Sequence, residues 1–147
     1  MNNIRLIYKS LIVLFFILAF KTANAQLAVN NAPPNNSATF LVNDILINDP
    51  LVNTSNISFT GDMQQIGYFN SANSNVGIET GIILSTGEIW EAPGPNDDGG
   101  GFNPCFDESG NSTIENEFNI NSNDAANLTF NFIAQGNSLD FNYVFAS

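Results

Sequence analysis

The sequence predicts an all-β protein: an antiparallel two-layer β-sandwich, jelly-roll-like, with one short N-terminal helix. Three observations support this fold class. Apolar and polar residues alternate in several short segments after Pro50, glycine and asparagine separate these segments, and Phe is abundant, with 13 copies among 147 residues. Alternation with a period of two gives a strand one apolar and one polar face. Such strands bury their apolar faces against a second layer.

The first 25 residues are predicted to be a signal peptide that is removed from the fold. Arg5 and Lys9 form a basic start, residues 11–20 are apolar, and the residues up to Ala25 match an A-x-A cleavage site. An apolar run of about ten residues is too short to cross a bilayer. We therefore expect a secreted or cell-surface protein whose mature chain begins near Gln26 and has no transmembrane segment.

An extended lead-in and one helix are predicted next. Residues 26–38 are rich in Asn and Pro and indicate extended backbone before a domain at 39–147. A short helix is predicted at the start of this domain, with a strand as the alternative. The supporting residues are four apolar positions at helical spacing (Leu41, Val42, Ile45 and Leu46), the candidate N-cap Ser37, and the stop signal Asn-Asp-Pro at 48–50.

Three short strands are predicted after Pro50. SNISFTG at 55–61 places Ile57 and Phe59 on one face and ends at a glycine, and QQIGYF at 64–69 follows it. The third segment, VGIETGIILSTG at 76–87, contains two apolar pieces that we expect to be separated at Gly81 and closed at Gly87.

A β-hairpin is predicted at the end of the chain. In residues 127–132, Leu128, Phe130 and Phe132 alternate with polar residues, and residues 139–146 alternate again. Gln-Gly-Asn at 135–137 lies between these two runs and provides a turn signal.

The charge distribution limits the possible partners. All three cationic residues lie in the first 25 positions, all 14 carboxylates lie after them, and the chain has no His. Nucleic acid and anionic membrane surfaces are therefore excluded as partners of the mature chain. A buried carboxylate would need backbone N–H groups, hydroxyls, amides, a proton or an external cation. The alternative is that all of them stay solvated.

The acidic, glycine-rich stretch at 94–110 is the candidate metal site. Its carboxylates are Asp97, Asp98, Asp107 and Glu108. With no His and a single Cys, the chain has too few ligands for zinc, whereas Ca²⁺ prefers oxygen donors, so Ca²⁺ is the expected cofactor. The stretch does not satisfy the EF-hand pattern, and a solvated acidic loop is the alternative. Cys105 is the single Cys of the sequence, so it is either paired with a Cys outside this stretch or a free buried thiol.

Two pairs of carboxylates raise the alternative of a carbohydrate-active enzyme. The pairs are Glu88 with Glu91, and Glu115 with Glu117. Glu115 and Glu117 would share a face if their segment were a strand, although the wet face of a strand gives the same pattern. Trp90, beside Glu91, could stack on a sugar ring but is expected to be a core or rim residue.

Seven motifs follow one another along the chain: LVNDILI at 41–47, SNISFTG at 55–61, IGYF at 66–69, GIETGIILSTG at 77–87, GPN at 94–96, NDAANLTFNF at 123–132 and LDFNYVFAS at 139–147. This ordered series resembles the choice-of-anchor L domain of bacterial surface and secreted proteins, which is common in Bacteroidetes. Members usually continue beyond FAS, so the resemblance implies an N-terminal fragment of a longer protein. It also implies an exported, surface-displayed or secreted module for adhesion or binding. Together with the export signal and the all-acidic mature chain, this favours a non-catalytic module whose surface ligand is a carbohydrate or a protein. A purely structural spacer is the remaining alternative.

Overall fold

The computed structural model describes residues 26–71, 74–94, 106 and 109–146, and it contains two antiparallel β-sheets. One sheet has three strands in the order β1-β3-β4, and the other pairs β2 with β5. The strands are β1 (Ala28–Asn30), β2 (Thr54–Thr60), β3 (Ile66–Asn70), β4 (Thr80–Leu84) and β5 (Asn127–Phe132). The predicted all-β, sandwich-like fold class is confirmed.

The predicted N-terminal helix is also confirmed. Helix α1 (Ala38–Phe40) continues directly as a π-helical segment, Leu41–Ile47. The Ser37 hydroxyl accepts a hydrogen bond from the Phe40 N–H and caps the start, as Ser commonly does. Asn48 ends the helix in the left-handed conformation, with φ 44°, which Asn tolerates better than most residues.

The core lies where this helical segment meets the sheets. The π-helical segment contacts β3 and β4, and α1 contacts β2, so the helix connects the two sheets. Leu41 and Val42 of the helix, Ile66 of β3, and Ile89 are fully buried. Burial of an aliphatic side chain of this kind contributes about 1.5–3 kcal/mol, so this cluster is a main source of stability.

A buried glutamine joins three parts of the chain behind this core. Gln65 ends a 3-10 turn, Met63–Gln65, and is fully buried. Its Oε1 accepts from the Asp62 N–H at 2.6 Å, and its Nε2 donates to the carbonyl oxygens of Thr86 at 3.1 Å and Asp124 at 2.8 Å. A buried amide with all of these bonds made is stabilising, whereas an unpaired one would be costly.

The lead-in contains strand β1, which its composition did not indicate. Val29 lies opposite Phe69, so β1 forms one edge of the three-stranded sheet. A three-residue strand is too short for a readable alternation, and its pairing with a distant segment determines its conformation.

The predicted interruption at Gly81 is wrong, because β4 runs through this residue. Gly81 lies opposite Phe69 of β3. A Cβ atom at Gly81 would be 2.8 Å from Cε1 of the Phe69 ring. Glycine therefore makes room for an aromatic ring across the strand pair and does not end the strand.

The predicted C-terminal hairpin is wrong in its second arm. β5 pairs with β2, with a register irregularity between Ser55 and Ser58, but residues 133–146 form no strand. A strand needs a hydrogen-bonded neighbour for its backbone groups, and the 139–146 segment has no ladder partner among the described residues. Its large apolar side chains are exposed: Leu139, Phe141, Tyr143, Val144 and Phe145.

Within the part of the chain that the structure describes, no helix combines the length and apolar character needed to cross a bilayer.

Candidate functional site

The predicted calcium ligands Asp97, Asp98, Asp107 and Glu108 lie outside the described residues, as does Cys105. Among the residues that are described, no three or more His, Cys, Asp or Glu side chains are grouped so that they could hold a metal ion. Calcium binding by the acidic stretch therefore stays a prediction.

The residues that follow the acidic stretch form a compact hydrogen-bonded unit. Ser109 and Asn123 form an isolated antiparallel bridge, and the Ala125 N–H donates to the Ser109 carbonyl at 3.3 Å. The Asn111 N–H donates to Ser122 Oγ at 2.9 Å. The chain that leaves the acidic stretch is thus fixed to the turn that precedes β5.

Glu115 has a structural role in this unit. It lies in helix α2 (Ser112–Phe118), where its Oε1 accepts from the Ser122 N–H at 2.9 Å and from the Ser122 hydroxyl at 3.0 Å. The idea that Glu115 and Glu117 share a strand face is wrong, because the segment is helical and residues two apart on a helix do not face each other. This removes the geometric basis for a catalytic pair at these positions.

The second carboxylate pair lies on a short turn beside the core. The 3-10 turn Ile89–Glu91 follows Glu88, whose carbonyl accepts from the Glu91 N–H at 3.2 Å. Ile89 is fully buried, whereas Trp90 is 43% exposed. Trp90 is therefore exposed and does not lie in the core, and Ile89 anchors the turn.

An open groove lies at the start of β4, and it is the best candidate site in the described part of the chain. Its volume is about 510 Å³. It is lined by residues 76–79 on one side and 142–144 on the other, namely Val76, Gly77, Ile78, Glu79, Asn142, Tyr143 and Val144. We call it the 79/143 groove.

Aromatic rings and polar groups occur together at the 79/143 groove. Phe141 and Tyr143 stack with their ring centroids 6.4 Å apart and their planes at 27°. Tyr143 is 76% exposed, so its ring is accessible to a ligand. Exposed Glu79 supplies a carboxylate, and Asn142 supplies an amide that both donates and accepts. Stacked aromatic rings beside hydrogen-bonding groups suit a ligand with both apolar and polar surface.

Hydrogen bonds to Ser71 fix one wall of the groove. Ser71 is buried, its N–H donates to the Glu79 carbonyl at 2.8 Å, and its hydroxyl donates to the carbonyl of Ile78. Gly77 has φ 85°, a left-handed conformation that glycine adopts without strain. Sequence patterns do not indicate this groove, because its walls are more than sixty positions apart along the chain.

The fold is that of a β-sandwich-like module, and the groove is an exposed candidate site on it. The model of the Choice-of-anchor L domain matches residues 28–147, and the chain belongs to this family. Membership implies an extracellular or surface location and a surface-associated, non-enzymatic module. Searches of curated proteins and of solved structures found no match to the chain.

Proposed function

We propose that this chain is a secreted or cell-surface module that binds a ligand for adhesion and has no catalytic activity. The family supports the location, and the resemblance described above supports a bacterial, Bacteroidetes-type origin. The observation that carries the binding function is the 79/143 groove, with the exposed ring of Tyr143 beside Glu79 and Asn142.

The charge of the chain favours certain ligands. Residues 26–147 contain all 14 carboxylates and no cationic side chain, so an anionic ligand would be repelled and would find no counter-charge. A neutral carbohydrate, or a protein surface with Lys or Arg residues, is compatible with this charge and with the aromatic lining.

To test the binding function, the purified chain is immobilised on beads, and the beads are incubated with a panel of neutral glycans and with a panel of proteins. The matched variants are Tyr143→Ala in the groove and Phe118→Ala on α2, where the aromatic ring is also exposed. We expect Tyr143→Ala to weaken ligand retention about tenfold and Phe118→Ala to leave it unchanged. Equal retention by both variants would show that the groove is not the binding site.

Calcium stabilisation by the acidic stretch is part of the same proposal. The motivation is chemical: Asp97, Asp98, Asp107 and Glu108 are oxygen donors in a chain segment without cations. Thermal unfolding is measured in CaCl₂ and in NaCl of equal ionic strength. A calcium concentration about 100 times the Kd would stabilise the fold by about 2.7 kcal/mol. An unchanged melting temperature at millimolar calcium would contradict this part.

Export is tested separately by N-terminal sequencing of the protein recovered outside the cytoplasm of a bacterial host. We expect the recovered chain to begin at Gln26. Intracellular protein that still begins at Met1 would contradict export through this signal.

A further inference from the structure

One face of the β2–β5 sheet carries only hydroxyl and amide side chains. Residues paired across an antiparallel ladder share a face, and so do residues two apart along one strand. Three ladder pairs form this face, namely Ser55 with Asn131, Ser58 with Thr129, and Thr60 with Asn127. Five of the six residues are exposed and Asn127 is half-buried. We call this surface the β2/β5 polar face.

A β-bulge keeps the β2/β5 polar face uniform. Ser55 and Ser58 are three residues apart, so a regular strand would direct them to opposite faces. Between them, two residues of β2, Asn56 and Ile57, lie opposite the single residue Phe130 of β5. Asn56 has φ 52°, which is uncommon for a residue other than glycine. The extra residue brings Ser58 onto the face of Ser55, and bulges that re-aim a side chain in this way are over-represented next to active sites.

The β2/β5 polar face is uncharged, although the chain is strongly acidic. None of the 14 carboxylates belongs to it, and none occurs in residues 50–61 or 125–139 around it. Its hydroxyl and amide groups both donate and accept hydrogen bonds. None of these six side chains is hydrogen-bonded to another residue that the structure describes. Their hydrogen-bonding capacity is therefore available to a ligand.

The composition of this face also limits what can cover it. Another layer of this chain would desolvate six polar groups and would bury no apolar side chain of the face, which is unfavourable. A tight protein interface depends on aromatic or Arg anchors, and the face provides none. An anionic ligand would meet no cationic side chain in residues 26–147. A neutral ligand rich in hydroxyl groups fits these conditions.

We propose that the β2/β5 polar face binds an uncharged polysaccharide. Sugar hydroxyls donate to the Ser, Thr and Asn oxygens and accept from their O–H and N–H groups. The face extends over about 14 Å between Asn127 and Asn131, at about 3.4 Å per residue, so successive sugar units of a linear polymer each meet a ladder pair. Each contact is weak in water, and the repeated units of the polymer raise the avidity. This site shares no residue with the 79/143 groove and does not depend on it.

Affinity electrophoresis of the purified chain tests the ligand class. Native gels contain one of three neutral polysaccharides (laminarin, mannan or dextran) or the anionic polysaccharide alginate. We expect at least one neutral polysaccharide to retard the chain and alginate to leave its mobility unchanged. Unchanged mobility in all three neutral gels would overturn the inference, and so would retardation by alginate as strong as by the neutral polymers.

Two substitutions locate the site on this face. Thr129→Val removes a hydroxyl and keeps the shape and strand preference of the side chain, and Ser58→Ala removes a hydroxyl from the facing residue. We expect each to raise the Kd for the polysaccharide about fivefold, as the loss of one hydrogen bond does. The control Thr113→Val, at an exposed position of α2, should leave the Kd unchanged. Thermal unfolding confirms that each variant is folded, and Ser58→Ala decides if Thr129→Val is not. A Kd unchanged in the folded face variants would overturn the inference.

The variant Tyr143→Ala separates this inference from the proposed function. Retardation that depends on Ser58 and Thr129 but not on Tyr143 supports the polar face, even if the 79/143 groove binds nothing. Retardation that depends on Tyr143 alone assigns the polysaccharide to the groove and overturns the inference. Retention of a protein that is lost in Thr129→Val would show that a protein occupies the face, and would also overturn it.

Discussion

Strand β3 and the 139–146 segment show opposite relations between sequence pattern and structure. β3 reads IGYFN, a short and imperfect alternation, yet it is paired on both sides and Ile66 is fully buried. The 139–146 segment alternates more regularly, yet it has no ladder partner among the described residues, and Tyr143 is 76% exposed. Periodicity shows that a segment could be a strand. Neighbours on its edges and a layer on its face decide whether it is one.

The largest contrast between the two regions is expected from truncation of one aliphatic side chain in each. Ile66→Ala removes a fully buried side chain from β3 and should lower the free energy of unfolding by about 2–5 kcal/mol, because it leaves a cavity. Leu139→Ala removes a side chain that is 67% exposed and should change it by less than about 0.5 kcal/mol. Urea denaturation measures both, and similar losses would show that the 139–146 segment belongs to the core.

A smaller effect is expected from the buried amide that precedes β3. Gln65→Ala removes the partner of the Asp62 N–H and of the Thr86 and Asp124 carbonyls. We expect a loss of about 3 kcal/mol, because three hydrogen bonds of a fully buried side chain are lost together, each contributing about 0.5–1.5 kcal/mol. The control, Gln64→Ala, keeps the hydrogen bond from the Gln64 N–H to Asp62 Oδ1 and should cost less than about 0.5 kcal/mol. Equal losses would mean that the hydrogen bonds of Gln65 to Asp62, Thr86 and Asp124 do not stabilise the fold.

The smallest change in stability is expected from Gly→Ala substitutions at two positions, one in β3 and one just before the 139–146 segment. A Cβ at Gly67 of β3 would lie 2.5 Å from Cδ1 of Ile89 and 2.9 Å from the Asn30 carbonyl oxygen, so Gly67→Ala should cost about 2 kcal/mol through overpacking. Gly136, before the 139–146 segment, has nothing within 4 Å of that position. Gly136→Ala should therefore be neutral or stabilise by about 0.5 kcal/mol. Melting temperatures of the two variants provide the check, and a destabilised Gly136→Ala would place other residues against this turn.

Local signals predicted much of the fold. Alternation identified β2, β3 and β5, the apolar residues after Thr80 located β4 but with a wrong break at Gly81, and apolar spacing with a Ser cap and an Asn stop identified the helix. These features depend on residues close in sequence, so the sequence shows them directly. The charge argument also needs no structure, because it rests on residue types alone.

Features that depend on distant residues were missed or mispredicted. β1 exists because Val29 pairs with Phe69, and β4 continues through Gly81 because the Phe69 ring fills the space above it. The prediction of a second hairpin arm at residues 139–146 was wrong, because alternation within a segment does not show that a partner strand lies beside it. The 79/143 groove and the role of Gln65 arise from contacts between separate segments, which a single sequence does not reveal.

Hydrogen exchange of backbone amides, detected by mass spectrometry, tests the difference between β3 and the 139–146 segment most directly. Exchange is measured in the purified chain for β3 (Ile66–Asn70) and for residues 139–146. We predict slow exchange in β3, with protection approaching that of global unfolding, and rapid exchange in 139–146. Equal protection in the two regions would show that the 139–146 segment is already a paired strand and would contradict the account.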